Sequence, residues 1–369
     1  MVDVDEQWWR TVLAGPDGTL QTDAPAEPDG SPERYRVLPR PSDPRVLVDL
    51  DSSRAMGDAV DRMVSSRAPA AIAGGLASGV SSLASLRKAD WAVSSSDELG
   101  TLRELLSEVI ERRVRISVSV GPPRPNRKPV VRCYAGEELV AVAKLGPDPH
   151  TEAMVQNEAH WLGHLMEHPL DGVVTPGRIH SGTYGPSALL VMEPLDLVDD
   201  LGVSLSEMPM STLQSFVADR IDPSTTVLES EWWLALSGRL GDQLAILAPY
   251  VDKLAASGLI DELEVSAWHG DWSPWNTGRT TSGDIAIWDW ERTAVGVPTG
   301  FDLLHLHYQY GSGLDGATLG LAEFGIATSH HKILQALYLL ELCARHAEAD
   351  ACETERHERV LESLKVVLS

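Results

Sequence analysis

The stretch His269-Gly270-Asp271-Trp272-Ser273-Pro274-Trp275-Asn276, followed by Ile285-Ala286-Ile287-Trp288-Asp289-Trp290, holds residues whose types and spacing fit a reaction. Phosphoryl transfer needs a carboxylate beside the accepting hydroxyl. It also needs oxygen ligands for Mg²⁺ on the nucleotide phosphates, and a cation to fix those phosphates. Asp271 and Asn276 are five residues apart in a tight loop, a spacing that can present a base and a side-chain carbonyl to one cleft. Asp289, ending a short apolar strand, offers a second hard oxygen. An amide beside a carboxylate suits Mg²⁺, which takes few carboxylates and completes its shell with phosphate oxygens.

The cation candidate is Lys144, at the end of the apolar run VAVAKLG. A buried lysine is costly without a partner. The segment after it offers Glu152 and Glu158, and the more apolar helical surroundings of Glu158 make it the preferred partner. His269 is expected to brace the loop backbone, Asp302 to brace or cap the loop, and Trp272 and Trp275 to pack beneath it. His305, His307, His330 and His331 are expected to be structural, since no further ligand lies at a matching spacing.

These elements, in this order, resemble the aminoglycoside phosphotransferase and choline kinase family, relatives of the eukaryotic-type protein kinases. The resemblance covers about residues 113–312. It implies a bilobal, protein-kinase-like α+β fold with a small antiparallel-sheet N-lobe and a mainly helical C-lobe. It implies phosphorylation of a small-molecule hydroxyl by ATP or GTP with Mg²⁺. By the same resemblance, Asp271 is the catalytic base, Asn276 and Asp289 hold Mg²⁺, and Lys144 with Glu158 serves the phosphates. Met192-Glu193-Pro194-Leu195 matches the hinge, so the backbone of Glu193 and Leu195 is expected against the nucleobase. Ser273 is a candidate for a γ-phosphate hydrogen bond or, as a turn serine, for a bond within its own loop.

Three departures matter. Gly270 stands where protein kinases have Arg, Asp289-Trp290-Glu291 where they have Asp-Phe-Gly, and no Ala-Pro-Glu segment follows. These point to a small-molecule kinase. The expected phosphate loop, Gly121-Pro122-Pro123-Arg124-Pro125-Asn126-Arg127-Lys128, is not glycine-rich, so its basic residues would have to replace glycine amides. That loop keeps open an alternative: a weak or inactive pseudokinase acting as a nucleotide-binding scaffold.

The elements that must position these residues follow from hydrophobic period. Residues 1–32, rich in Gly, Pro and Asp, read as an acidic flexible tail, except that Trp8 and Trp9 could dock a short helix. Residues 33–112 read as a mixed cap: two extended segments over 34–51, two helices over 53–88, and a helix over about 96–112. VRISVSVG, PVVRCYA and LVAVAKLG predict a three-stranded meander, followed by a helix over 151–165 and two more strands ending at the hinge. Residues 113–195 thus form the expected N-lobe, and 196–369 the helical C-lobe, with helices at 205–220 and 229–257 and one strand, Asp284–Trp288.

The 369 residues carry a formal charge of −24. That balance disfavours a nucleic-acid partner, which is itself a polyanion. Three cysteines are too few for a disulfide framework, and no apolar run is long enough to span a membrane. The acidic start MVDVDEQWWR is unlike a signal peptide, so the cytoplasm is the expected location. Acidic composition fits a cationic acceptor, with Glu291, Asp302, Asp196, Asp199 and Asp200 as candidate contacts. The cluster of Trp between 268 and 290 fits a carbohydrate. The sequence chooses neither, and it leaves the oligomeric state open.

Overall fold

The computed structural model describes residues 6–22, 33–65, 89–95, 100–121, 126–199, 225–309, 313–323 and 325–368. The chain divides into two compact units, Met1–Ala159 with Gly177–Pro194, and His160–Pro176 with Leu195–Ser369. In chain order the elements up to residue 192 are α1 (Glu6–Ala14), β1 (Thr19–Thr22), β2 (Glu33–Arg40), β3 (Asp43–Asp49), α2 (Ser53–Ser65), β4 (Trp91–Ser94), α3 (Leu102–Val109), β5 (Arg115–Val120), β6 (Pro129–Ala135), β7 (Glu138–Gly146), α4 (Pro149–Glu167), β8 (Val173–Val174), β9 (Arg178–Tyr184) and β10 (Ser187–Met192).

The first unit is built on one antiparallel sheet of order β1-β4-β2-β3-β5-β6-β7-β10-β9. Side chains of successive strand residues point to opposite faces. In β3, Leu47 therefore joins the core under α1 and α3, with Trp9, Val12, Leu102 and Leu106. Its neighbours Val46 and Val48 face the other way and pack with Ala55 and Ala59 of α2. The expected meander β5–β6–β7 is present, in the register Ile116↔Cys133 and Val131↔Ala143. It does not stand apart from residues 33–112, because β3 pairs β5 at Val46↔Ser119, Leu47↔Val118 and Val48↔Ser117. The supposed cap is the continuation of the same sheet.

Part of the supposed tail is ordered too. Trp9 is fully buried, edge-on to Trp91 at 6.0 Å, and β1 pairs β4. Residues 1–5 and 23–32 lie outside the described residues, as do 66–88 and 200–224, where two of the expected helices fall. The helix expected over 96–112 is shorter. Thr101 and Glu104 form a reciprocal capping box that starts α3 at Leu102, satisfying the first free amides.

The second unit contains β8 and then β11 (Leu197–Asp199), α5 (Glu231–Leu240), α6 (Leu244–Ala255), β12 (Val265–Trp268), β13 (Thr277–Thr280), β14 (Ile285–Ile287), β15 (Ala294–Pro298), α7 (Phe301–Gln309), α8 (Gly313–Glu323), α9 (Thr328–Glu348) and α10 (Glu355–Leu368). The single helix expected over 229–257 is broken at Gly241, whose φ of 53° is left-handed backbone that glycine adopts without strain. The single strand expected near 284–288 is one of six among the described residues of this unit, arranged as a β11-β13-β14-β8 sheet and a β12-β15 sheet. They are two to five residues long, too short for a clear alternation. The core centres on α9, which buries Leu334, Leu337, Tyr338, Leu340 and Cys343 against Trp232, Trp268 and Phe301. A sheet-based first unit and a mainly helical second unit make this an α+β chain. Among the described residues, no helix is long and apolar enough to cross a membrane.

Candidate active site

Lys144 lies on a central strand, opposite Val130 of β6 and Leu190 of β10. It is 8% exposed, and its Nζ donates to both oxygens of the fully buried Glu158, at 2.7 and 2.6 Å. Glu152 is half-buried instead and accepts from Gln156. The approach of α4 to β7 explains the pairing. A Cβ on Gly146 would sit 2.6 Å from Glu152 Cα, so glycine is what lets the helix start this close to the strand. Asp148 then caps the helix, its Oδ1 accepting from the amides of His150 and Thr151.

In the second unit, the loop after β12 is held from several sides. His269 is fully buried. Its Nδ1 accepts from the Asp271 amide at 3.2 Å and its Nε2 lies 3.1 Å from the Trp288 carbonyl, so the proton sits on Nε2. Burial pulls its pKa down to about 4, and the ring stays neutral. Asp302, in the first turn of α7, accepts from the amides of His269 (2.7 Å) and Gly270 (3.0 Å). Burial pushes Asp302 up to about 7 against the pull of those amides and of Arg345. Both of its oxygens are occupied by the loop, so it is withdrawn from the acceptor contacts expected of it. From α9, Arg345 donates to the Gly270 carbonyl at 2.6 Å and lies over Trp268.

Gly270 has no substitute here. Its φ is 83°, and a Cβ would lie 2.3 Å from the Arg292 carbonyl oxygen. This is the physical reason for glycine beside Asp271.

The Asp271 carboxylate is held at both oxygens. Oδ1 is 3.0 Å from His305 Nε2, and Oδ2 accepts from Asn276 Nδ2 at 2.9 Å. Burial is the largest single influence and works to raise its pKa, but the interactions with His305 and His269 together outweigh it, and the carboxyl is held below its usual value. The side chain is 28% exposed, so an ionised carboxylate reaches solvent. Asn276 Nδ2 also donates to the Asp271 carbonyl at 2.9 Å. With both amide protons directed at Asp271, the Asn276 Oδ1 is left for another partner.

Asp289 is brought to the same end of the β13–β14 hairpin as Asn276. Thr277 pairs Ile287, and the Trp288 amide donates to the Asn276 carbonyl at 3.1 Å, extending the ladder to the residue before Asp289. Asp289 then turns the chain with φ 71° and ψ 49°, left-handed backbone that costs energy for a residue other than glycine.

Other expectations change. Ser273 is buried, and its hydroxyl donates to the Asp271 carbonyl at 3.1 Å, so the γ-phosphate contact is replaced by a brace within the loop. Trp272 packs inside, but Trp275 is 53% exposed and not beneath the loop. At the matched hinge, Glu193 and Leu195 follow β10, and the Glu193 amide donates to the Gly177 carbonyl at 2.8 Å. That amide is committed within the first unit. Arg345 and Tyr338, on α9, were not foreseen from the sequence, because they lie 60 or more positions after the loop. The bond from His305 to Asp271 was not foreseen either. Its only sequence signal is the spacing of three from Asp302, which puts both on one face of α7.

No family model matches the chain, and no curated protein matches it. Solved structures similar to it include choline kinase LicA from Streptococcus pneumoniae, 15% identical over 72% of this chain and 98% of that one, with a TM-score of 0.49. A GDP complex of an aminoglycoside 2'-phosphotransferase-IIIa variant is 15% identical over 68% of this chain and 90% of that one, with a TM-score of 0.46. A ternary complex of the aminoglycoside phosphotransferase APH(4)-Ia with ADP and hygromycin B is 12% identical over 68% of this chain and 97% of that one, also with a TM-score of 0.46.

Proposed function

We propose that the chain is a small-molecule kinase that transfers the γ-phosphoryl group of ATP or GTP to a hydroxyl. Asp271 takes the hydroxyl proton as the acceptor oxygen bonds to phosphorus. The bond to the leaving nucleoside diphosphate breaks with its electron pair. The observation that carries this reading is the state of Asp271: ionised, held at both oxygens, and still open to solvent. A carboxylate so placed is ready to accept a proton, an effect worth about 10²–10⁴-fold in rate.

The donor set fits Mg²⁺. Asn276 offers a neutral amide oxygen turned away from Asp271, and Asp289 an anionic one, a combination this ion accepts when phosphate and water complete its shell. Bound there, Mg²⁺ would neutralise charge on the nucleotide phosphates. Lys144, oriented by Glu158, is assigned to the phosphates, and the hinge segment Glu193–Leu195 to the nucleobase.

The test is Mg²⁺-dependent turnover of ATP and GTP over a panel of amino sugars, neutral sugars, amino alcohols and nucleosides, with the product identified by mass. Asp271→Asn should keep nucleotide affinity within about threefold and lower kcat by at least about 10²-fold. Near-normal turnover in that variant would remove the mechanism. Nucleotide binding without turnover of any acceptor would favour the scaffold.

A further inference from the structure

The His305 contact is not required by the roles assigned above, and it leads to a second buried group. His305 is 2% exposed, on α7, one turn beyond Asp302. Its Nε2 meets Asp271 Oδ1 at 3.0 Å, and its Nδ1 lies 3.0 Å from the hydroxyl of Tyr338, which is fully buried on α9. The protonation pattern follows from the partners. An ionised carboxylate only accepts, so Nε2 carries the proton. Nδ1 is then a lone pair, and the Tyr338 hydroxyl must donate to it. Burial holds the imidazole below its usual pKa and the phenol well above its own, so both groups are neutral in this chain of bonds. Two helices thereby converge on one carboxylate oxygen. α7 grips the loop twice, its backbone through Asp302 and its working side chain through His305.

We propose that His305 is a positioning residue for phosphoryl transfer: its Nε2–H fixes the plane of the Asp271 carboxylate toward the acceptor hydroxyl, and Tyr338 fixes the tautomer that makes this donor. The proposal rests on the assignment of Asp271 as base. Asn276 alone would leave the carboxylate pivoting on one bonded oxygen. The second donor removes that freedom, and small errors in the placement of reacting groups cost about 10²-fold in rate.

The experiment compares wild type, Asp271→Asn, His305→Leu, His305→Gln and Tyr338→Phe in Mg²⁺-dependent turnover of ATP or GTP. His305→Leu is expected to lower kcat about 10²-fold, with the nucleotide KM within about threefold. His305→Gln carries an N–H at similar reach and should recover to within about tenfold of wild type. Tyr338→Phe should lose several-fold, and adding it to His305→Leu should cost nothing more, as expected for groups acting in series. A residue that merely fills the core would show no such rescue. Nitrogen NMR of the imidazole, which needs no substrate and no destabilised variant, should find a neutral ring protonated at Nε2. The proposal is overturned by a kcat for His305→Leu within about threefold of wild type, by a His305→Gln variant no better than His305→Leu, or by a ring protonated at Nδ1. If Asp271→Asn keeps its turnover, the base assignment itself has failed. If Asp271→Asn is inactive while His305→Leu is normal, only the positioning role has.

Discussion

Around the loop that carries Asp271, the backbones of Gly270 and Asp289 constrain what their side chains can be. Gly270 combines a left-handed φ with a steric wall at the Arg292 carbonyl. Gly270→Ala should cost at least about 2 kcal/mol of stability, read by chemical denaturation, since strained backbone and a backbone clash add. A stability equal to wild type would contradict the geometry. Asp289 presents the opposite case: a non-glycine residue kept in left-handed backbone. Asp289→Ala and Asp289→Gly both remove the carboxylate and whatever it holds. They differ only in backbone, so Asp289→Gly should be the more stable of the two by about 1 kcal/mol. Both should lose Mg²⁺-dependent turnover. Strain retained for a carboxylate, where glycine would relieve it, is what a metal-binding role predicts. Full activity of either variant, or activity in excess chelator, would sink that role.

At the scale of elements, the sequence was legible where period was strong and contacts were local. The meander β5–β7 alternates cleanly, and α4 carries apolar residues at helical spacing, so Lys144 and Glu158 could be paired from the sequence alone. Asp271, Asn276 and Asp289 could be read for the same reason, since one short hairpin carries them. What escaped reading depends on pairing between distant segments. Nothing local in RVLVDL announces that β3 will hydrogen-bond to β5, some 70 residues later, and so the sequence reads as a cap divided from the lobe at residue 112. Likewise His305 reads as a core histidine until α9 brings Tyr338 to it. The continuity of the sheet carries its own prediction. A chain beginning at residue 113 would expose the edge of β5 and strip Leu47, Trp9 and Leu102 from the shared core. Exposed edges template association. The truncated chain should be aggregated or insoluble by size-exclusion chromatography, and residues 1–112 alone should show no cooperative unfolding. A monomeric, cooperatively melting fragment from either side would show that the cap is separate after all.

At the scale of the whole molecule, two electrostatic effects oppose each other as pH falls, and their different ranges allow them to be separated. The chain carries −24 at pH 7, so acidification relieves self-repulsion and should stabilise it. Buried histidines act the other way. His269 is held neutral with its pKa pulled down by burial from 6.5 to about 4, and His305 is lowered in the same direction. Their stabilising contribution is complete above the unfolded value and is lost as pH falls from about 6.5 toward 4, because only the unfolded chain takes up the proton. For His269 alone this amounts to about 2 kcal/mol between pH 7 and 5. Asp302, pushed up to about 7, has the reverse sign: its buried carboxylate is costly at pH 7, and folding gains as it protonates between about 7 and 4. These local effects sit inside the protein, where salt screens little, whereas surface repulsion is screened over about 8–10 Å at moderate ionic strength. Raising salt should therefore remove the stabilising effect of acid and leave the buried groups. His305→Gln deletes one titrating ring and keeps the donor, so its stability should fall less than that of wild type between pH 7 and 5. The difference between the two slopes should persist in 0.5 M salt. The measurement is denaturant-derived stability of both proteins at low and high salt across that window. Parallel pH profiles for the two, or a difference that vanishes with salt, would mean that His305 titrates as an exposed ring and is not the buried neutral donor to Asp271.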